Sequence, residues 1–309
     1  CDRSIPNLMD GLKTSQRKIL YAAFKKNLTK EIKVAQFSGY VSENAAYHHG
    51  EASLNGAIVN MAQDYVGSNN INMFNPNGQF GTRLTGGNDS ASERYIYTEL
   101  NDLTRMLFMK EDDYILDTLY DDGQAVEPIY YAPIIPMILV NGAKGIGTGF
   151  STDIMCYNPL DIVAYLKNKL LHESENVDIN VYYEGYKGDI VALSDTKYLI
   201  KGVYNKIDQN TIQVTELPIG SWTTNYKEYL ESLLDKKKDC ILKDYKDMST
   251  DKVVDFTITF KNGIVDDLES QTGEHDCNKL EKVLKLYTTH TNTNMPVSYT
   301  HLTLPTTYH

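Results

Sequence analysis

Tyr95 follows Arg94 at the end of a polar, glycine-rich run, Gly81-Thr82-Arg83-Leu84-Thr85-Gly86-Gly87-Asn88-Asp89-Ser90-Ala91-Ser92-Glu93. A phenol titrates near pH 10 in water, so it serves as a nucleophile near neutrality only with cationic neighbours. Arg94 is such a neighbour. The chain has 23 tyrosines, and spacing alone would leave any one of them structural; the company of Tyr95 singles it out. His48-His49 stands before Gly50-Glu51. Adjacent residues on a helix face different ways, which disfavours a shared metal. The remaining choices are one packed and one solvent-facing imidazole, or hydrogen bonding to phosphate. Gly145-Ile146-Gly147-Thr148-Gly149 fails the dinucleotide pattern because Phe150 takes its last place, and it lacks the Lys-Ser/Thr of a phosphate loop. Ile146 on that stretch is either core or an apolar wedge for base steps.

These residues need elements to hold them. Apolar spacing over 6–26 (Leu12, Ile19, Leu20, Ala23, Phe24) predicts an amphipathic helix whose other side carries Lys13, Arg17, Lys18, Lys25 and Lys26. A second helix, starting at Ser42 or Glu51, runs to Tyr65 with Leu54, Ile58, Met61 and Ala62 in register before Gly67. Two short helices with turns suggest a helix-turn-helix core. Residues 67–93 read as loop, where function concentrates. Then come a short strand over 94–100 leading into a helix through Arg105, and buried strands over 129–140 interrupted by Pro133 and Pro136. Asn158 as cap with Pro159 behind it opens a helix to Leu171. A second part begins there, with alternating strands at 212–217 and 256–260, the latter meeting an Asn262-Gly263 hairpin signal. The fold class is α+β.

The chain has 309 residues, 41% hydrophobic and 23% charged, which points to two domains or three and excludes disorder of the whole. No run approaches the roughly 18 apolar residues of a membrane span. Cys1, Cys156, Cys240 and Cys277 have neither zinc-ligand spacing nor a disulfide framework. A reducing, intracellular home follows. Net charge is −11, a sign that repels nucleic acid. The average hides a gradient: residues 1–50 hold eight Lys/Arg against four Asp/Glu, and 101–150 hold three against eight. The five arginines, Arg3, Arg17, Arg83, Arg94 and Arg105, all lie within the first 105 residues, and bidentate phosphate contacts favour Arg over Lys. With no Met and no leader, the chain reads as starting inside a longer polypeptide. From Leu286 onward no Lys, Arg, Asp or Glu occurs, and 297–307 reads as the translation of a transposase sequencing adapter, so 296–309 is expected to be a non-native tail.

Taken in order, Arg3-Ser4-Ile5-Pro6, Asp10-Gly11-Leu12-Lys13, Gln16-Arg17-Lys18, Lys33-Val34-Ala35-Gln36, Tyr47-His48-His49-Gly50-Glu51, Gly78-Gln79-Phe80-Gly81-Thr82-Arg83, Ser90-Ala91-Ser92-Glu93-Arg94-Tyr95 and Gly145-Ile146-Gly147-Thr148-Gly149 closely resemble the cleavage core of eukaryotic-type DNA topoisomerase II. The resemblance is dense over 1–155 and thinner through Glu216-Leu217-Pro218, Trp222-Thr223, Tyr226-Lys227, Thr288-Thr289-His290-Thr291 and Asn294-Met295. It implies a winged-helix cleavage domain over 1–155 and an α/β tower domain over 156–295. It further implies that Tyr95 attacks a DNA phosphodiester to form a 5′-phosphotyrosyl link, that Arg94 stabilises the transition state, and that Ile146 intercalates. Lys13, Tyr47 and Ser53 match DNA-contact positions; His48, His49, Arg17 and Arg83 match phosphate neighbours of the tyrosine. Glu93 stands where the family commonly has proline.

The resemblance also implies a homodimer acting on double-stranded DNA, nuclear in a cellular eukaryote. Mg2+ and ATP would both be bound by regions outside this chain, upstream of Cys1, with no metal ligands inside it. The rival reading is a non-catalytic winged-helix DNA-binding or architectural protein; covalent attachment to DNA separates the two. A third reading is an acidic interaction scaffold.

Overall fold

The computed structural model describes residues 3–147, 149–172, 176–235 and 240–298. The fold is α+β. The first part opens with α1 (Thr14–Lys26), β1 (Ile32–Lys33), α2 (Val34–Asn44) and α3 (Glu51–Ala62). A long loop follows, then β2 (Tyr97–Thr98), α4 (Thr104–Leu107), the strand pair β3 (Thr118–Asp121) and β4 (Gln124–Pro128), α5 (Met137–Val140), the pair β5 (Ala143–Gly147) and β6 (Phe150–Ile154), and α6 (Pro159–Leu170). The two helices on which the helix-turn-helix expectation rested correspond to α1 and α3, with the unexpected α2 between them, joined to α3 by a turn; β1 pairs antiparallel with β2 through Ile32 opposite Thr98 and Lys33 opposite Tyr97.

Helix α1 begins at Thr14, well after Pro6. The preceding turn holds Gly11 at φ +70°, where a Cβ would stand 2.7 Å from the backbone of Ile138, so helix cannot propagate through it. Sequence periodicity did not separate α2, yet its Val34, Phe37, Ser38 and Val41 are all buried at helical spacing. α2 is therefore an additional helix, and the second expected helix is α3, which starts at Glu51, one of its two expected starts. It stops at Ala62 because Gln63 turns extended and donates its side-chain amide to the carbonyls of Phe80 and Gly87 at 2.8 and 3.4 Å. Segment 129–140 holds no paired strands; it is extended around its prolines and ends in the turn α5.

The second part contains β7 (Asp189–Ser194), β8 (Lys197–Lys201), β9 (Val203–Lys206), β10 (Thr211–Glu216), α7 (Thr223–Leu234), β11 (Leu242–Asp247), β12 (Phe256–Phe260), α8 (Ile264–Ser270), α9 (Lys279–Val283) and β13 (Tyr287–Thr291). Two antiparallel sheets result, ordered β11-β12-β10-β9 and β13-β8-β7. The Asn262-Gly263 pair does not make a hairpin; Gly263 sits at φ +76° directly before α8. Both the strand alternation at Thr211–Glu216 and the Asn158 cap, whose side chain accepts from the Leu160 amide, occur as expected.

Two apolar cores form. The first gathers Ile19, Leu20, Phe37, Leu54, Ile58, Phe74 and Ile96; the second gathers Ile212, Val214, Leu230, Phe256, Ile258 and Phe260. Helix α6 buries Ile162 in the first core, which therefore reaches past the boundary expected at residue 155. Of the expected tail only Pro296, Val297 and Ser298 are described. Ser298 exchanges backbone hydrogen bonds with Pro6 and Leu8; residues 299–309 lie outside the described residues.

Phe37 is fully buried against Phe74, their ring centres 5.8 Å apart. Phe37→Ala should lower stability by about 3–5 kcal/mol through the cavity it leaves, read from the shift in the denaturant midpoint at constant slope.

Candidate functional site: an exposed tyrosine on a braced loop

The first two amides of α2 are orphan donors that a helix must satisfy from outside. Val34 donates to the carbonyl of Ile96 at 3.0 Å and Ala35 to that of Glu93 at 3.1 Å. These two bonds flank Arg94 and Tyr95 and hold a tight turn, closed by the Tyr95 amide on the Ser92 carbonyl at 2.9 Å. Ile96, next in sequence, is anchored in the core. The turn has a buried base and an exposed tip: the Tyr95 side chain is 76% exposed, and Arg94 is exposed too and forms no hydrogen bond or ion pair among the described residues. Arg94 lines a cleft of about 630 Å³ between the turn and the outer face of α3, whose Glu51, Ala52, Asn55 and Asn60 form the opposite wall.

The loop that leads into this turn is bonded to itself. Asp89 accepts from the Thr82 amide and hydroxyl at 2.8 and 2.6 Å and from the Thr85 hydroxyl at 2.7 Å. Burial by itself would raise the Asp89 carboxyl, but the bonds from Thr82 and Thr85 outweigh it and hold the group below the usual carboxylate range. Ala91 donates to Gln79 across the loop.

Ile146 lies on β5 opposite Ser151 and is 86% exposed; its side chain is not core. Lys13 reaches the same hairpin, donating Nζ to the Lys144 carbonyl at 2.6 Å, and burial pushes its ammonium below its ordinary value. Tyr47, Ser53 and His49 meet at the start of α3: the Tyr47 hydroxyl is 3.5 Å from Ser53 Oγ, and the Tyr47 and His49 rings pack edge to face at 5.3 Å. His49 and Ser53 are exposed, whereas Tyr47 is buried. His48 turns away from His49, with Nε2 2.9 Å from Asp121 Oδ2 at the end of β3. The adjacent imidazoles therefore do not converge.

Arg17 and Arg83, expected as phosphate neighbours of the tyrosine, are both buried in ion pairs. Arg17 is buried and pairs with Asp10 through Nε and Nη2 at 2.7 and 3.0 Å, while Asp10 also accepts from the amides of Leu12 and Tyr131. Arg83 is buried against the Glu216 carboxylate. Both guanidinium groups are committed inside the protein because their fork matches one carboxylate. Sequence reasoning missed Asp10, Gln63, Glu216 and Trp222. Asp10 and Glu216 stood within motifs noted for their resemblance, but no spacing rule reveals which carboxylate meets which arginine.

Fold and site thus define a class: a helix-turn-helix unit presenting a Tyr–Arg pair on a braced loop, followed by an α/β unit. Residues 3–306 match the family described as the A subunit of DNA gyrase/topoisomerase IV, and the chain belongs to that family. DNA topoisomerase 2 of Arabidopsis thaliana is 54% identical over 260 residues, 83% of this chain and 18% of the relative. DNA topoisomerase 2 of Plasmodium falciparum is 48% identical over 295 residues, 95% of this chain and 20% of the relative. The chain spans about a fifth of the length of these relatives. The crystal structure of the Plasmodium falciparum topoisomerase II DNA-binding, cleavage and re-ligation domain superposes with a TM-score of 0.91 at 48% identity, covering 96% of this chain and 39% of that one. Among the described residues no helix is long and apolar enough to cross a membrane.

Arg17→Met should lower the melting temperature, since an unpaired Asp10 left buried costs about 3–5 kcal/mol. The slope of log affinity for duplex DNA against log salt should stay that of the parent. A slope shallower by about one unit would mark Arg17 as a phosphate contact.

Proposed function

We propose that this chain is the DNA-cleaving part of an ATP-dependent type II DNA topoisomerase, which opens a transient double-strand break, passes a second duplex and reseals. The observation that carries this reading is the exposed Tyr95 ring beside the unpaired Arg94 guanidinium, on a turn whose base is fixed by the amides of α2. In the step assigned to Tyr95, its phenolic oxygen attacks a backbone phosphorus, an O–P bond forms, and the bond from phosphorus to the 3′ oxygen breaks. The phenolic proton is lost and the departing oxygen becomes a 3′-hydroxyl, leaving a 5′-phosphotyrosyl link. One phosphodiester replaces another, so the reverse step needs no outside energy. Arg94 faces the charge that builds on the nonbridging oxygens.

Lys13, Tyr47, Ser53, His48 and His49 are assigned to the DNA surface around α3 and the β5–β6 hairpin. Arg17 is assigned to shaping that surface from within, and Arg83 to holding the loop that leads to Tyr95. Ile146, projecting from its hairpin, is assigned to insertion between base pairs, where apolar contact offsets part of the unstacking cost. The partners are double-stranded DNA and a second copy of the protein, so that two tyrosines cut opposite strands; the compartment is the nucleus of a eukaryotic cell. Mg2+ and ATP are assigned to regions outside this chain. No step here is routed through a metal.

In the complete protein, Tyr95→Phe should keep duplex affinity and abolish protein-linked DNA on a denaturing gel; linked DNA persisting in this variant would sink the assignment and favour a non-catalytic DNA-binding role. Arg94→Ala should slow cleavage about 10²- to 10³-fold with only a modest change in affinity. Ile146→Ala should leave the melting temperature unchanged, because the side chain is exposed, while a fluorescence bend assay reports straighter DNA.

A further inference from the structure

The loop that carries Tyr95 is held from its far end by the second part of the chain. Arg83 pairs through both terminal nitrogens with Glu216, the last residue of β10. Glu216 is fixed in turn, accepting from the Leu217 amide at 2.9 Å and the Lys187 amide at 3.3 Å. Two residues at the start of α7 use their free amides on the same loop: Thr223 donates to the Arg83 carbonyl at 3.4 Å and Thr224 to the Leu84 carbonyl at 2.9 Å. The Trp222 ring lies against the backbone of Gly86, where any Cβ would collide with the indole, and packs edge to face with Tyr65 at 5.8 Å. Burial, reinforced by the Glu216 carboxylate, pushes the neighbouring Tyr186 phenol up, as expected for a dry junction. A carboxylate, a helix start and an indole from the second part thus converge on three consecutive stretches of one loop.

From Arg83 the connection to Tyr95 is continuous. Thr82 and Thr85 grip Asp89, Gly87 donates to the Thr82 carbonyl, Ala91 donates to Gln79, and the turn closes on α2. Every stretch between the junction and the tyrosine is cross-bonded. These bonds give a shift of β10 or of the start of α7 a connected route to the turn.

We propose that Arg83, Glu216 and the α7 amides are positioning residues for Tyr95: the second part of the chain sets where the tyrosine stands, and so sets the rate of strand cleavage. This rests on the reading of Tyr95 as the DNA nucleophile. Nucleophilic attack tolerates little misplacement, and an error of about 1 Å far from the chemistry can cost on the order of 10²-fold. Nearby phosphate contacts at α3 and the hairpin do not pass through this junction, so affinity should survive its loss.

The test uses the complete protein with two variants. Glu216→Gln keeps the size of the side chain and removes the charge that holds Arg83. Thr224→Pro removes the amide given to Leu84 in the first turn of α7, where proline is tolerated and Thr224 is exposed; it carries the test if Glu216→Gln melts below the assay temperature. Duplex affinity is measured by fluorescence anisotropy, and single-turnover formation of protein-linked DNA is followed at saturating duplex. Both variants should bind within about twofold of the parent, while the cleavage rate falls about 10- to 100-fold for Glu216→Gln and severalfold for Thr224→Pro. Parental cleavage rates in folded variants would overturn the proposal, and so would equal losses of binding and cleavage, which would mark a purely structural junction. A parent that forms no linked DNA removes the reading of Tyr95 itself, and with it this proposal; that result is told apart because it precedes any variant.

Discussion

A helix begins with amides that have no partner inside it, and in this protein those of α2 pin the base of the turn that carries the tyrosine. Val34 and Ala35 must donate to something, and the carbonyls they find belong to Ile96 and Glu93. The same two bonds satisfy the helix start, fix the base of the Arg94–Tyr95 turn, and run alongside the short β1–β2 pairing that joins Lys33 to Tyr97. A side chain on an exposed loop would normally sample many positions. Here its neighbours on both sides are tied to a helix whose Phe37 and Val41 are fully buried, so the ring is exposed while its backbone is not free.

Charge inside the molecule serves shape more than recognition. Of the five arginines, all within the first 105 residues, Arg17 holds Asp10, Arg83 holds Glu216, and Arg105 pairs with Asp113 while lying 3.4 Å from the centre of the Phe24 ring. Arg3 and Arg94 are left exposed. The planar fork that makes arginine good at phosphate also makes it good at carboxylates, and three of the five find a carboxylate first. The buried pairs link distant segments: Asp10 orients the turn before α1 and receives Tyr131, and Glu216 ties β10 to the loop before Tyr95. Lys18 adds a third such link, to Glu127 on β4 at 2.8 Å.

The β5–β6 hairpin follows a similar logic with apolar material. Gly145 passes so close to the N-terminal segment that a Cβ would overlap the Ser4 carbonyl, which anchors the strand at its middle. Next along the strand, Ile146 points to solvent, while Lys13 from the start of α1 braces the Lys144 carbonyl. The exposed isoleucine thus sits on a strand held by Ser4, by Lys13 and by its pairing with β6, on the part of the molecule that also presents Lys13.

Much of this was legible without coordinates. The Tyr–Arg pair stood out because a phenol needs a cation, the helix and strand periodicities at Glu51–Ala62, Pro159–Leu170 and Thr211–Glu216 are strong local signals, and the ordered motifs carried the family resemblance. Local pattern failed where tertiary contact overrode it: at Gly11, whose close approach to Ile138 ends any helix from Pro6; at Gln63, whose amide leaves α3 to bridge Phe80 and Gly87; and at Met137–Val140, an apolar run that turns helical instead of extending. The partners of Arg17 and Arg83 were beyond sequence altogether. Residue type determined that each guanidinium would seek a planar anion, but whether that anion is a phosphate outside or a carboxylate inside depends on which segments the fold brings together. For Arg83 the segment is β10, 133 positions away.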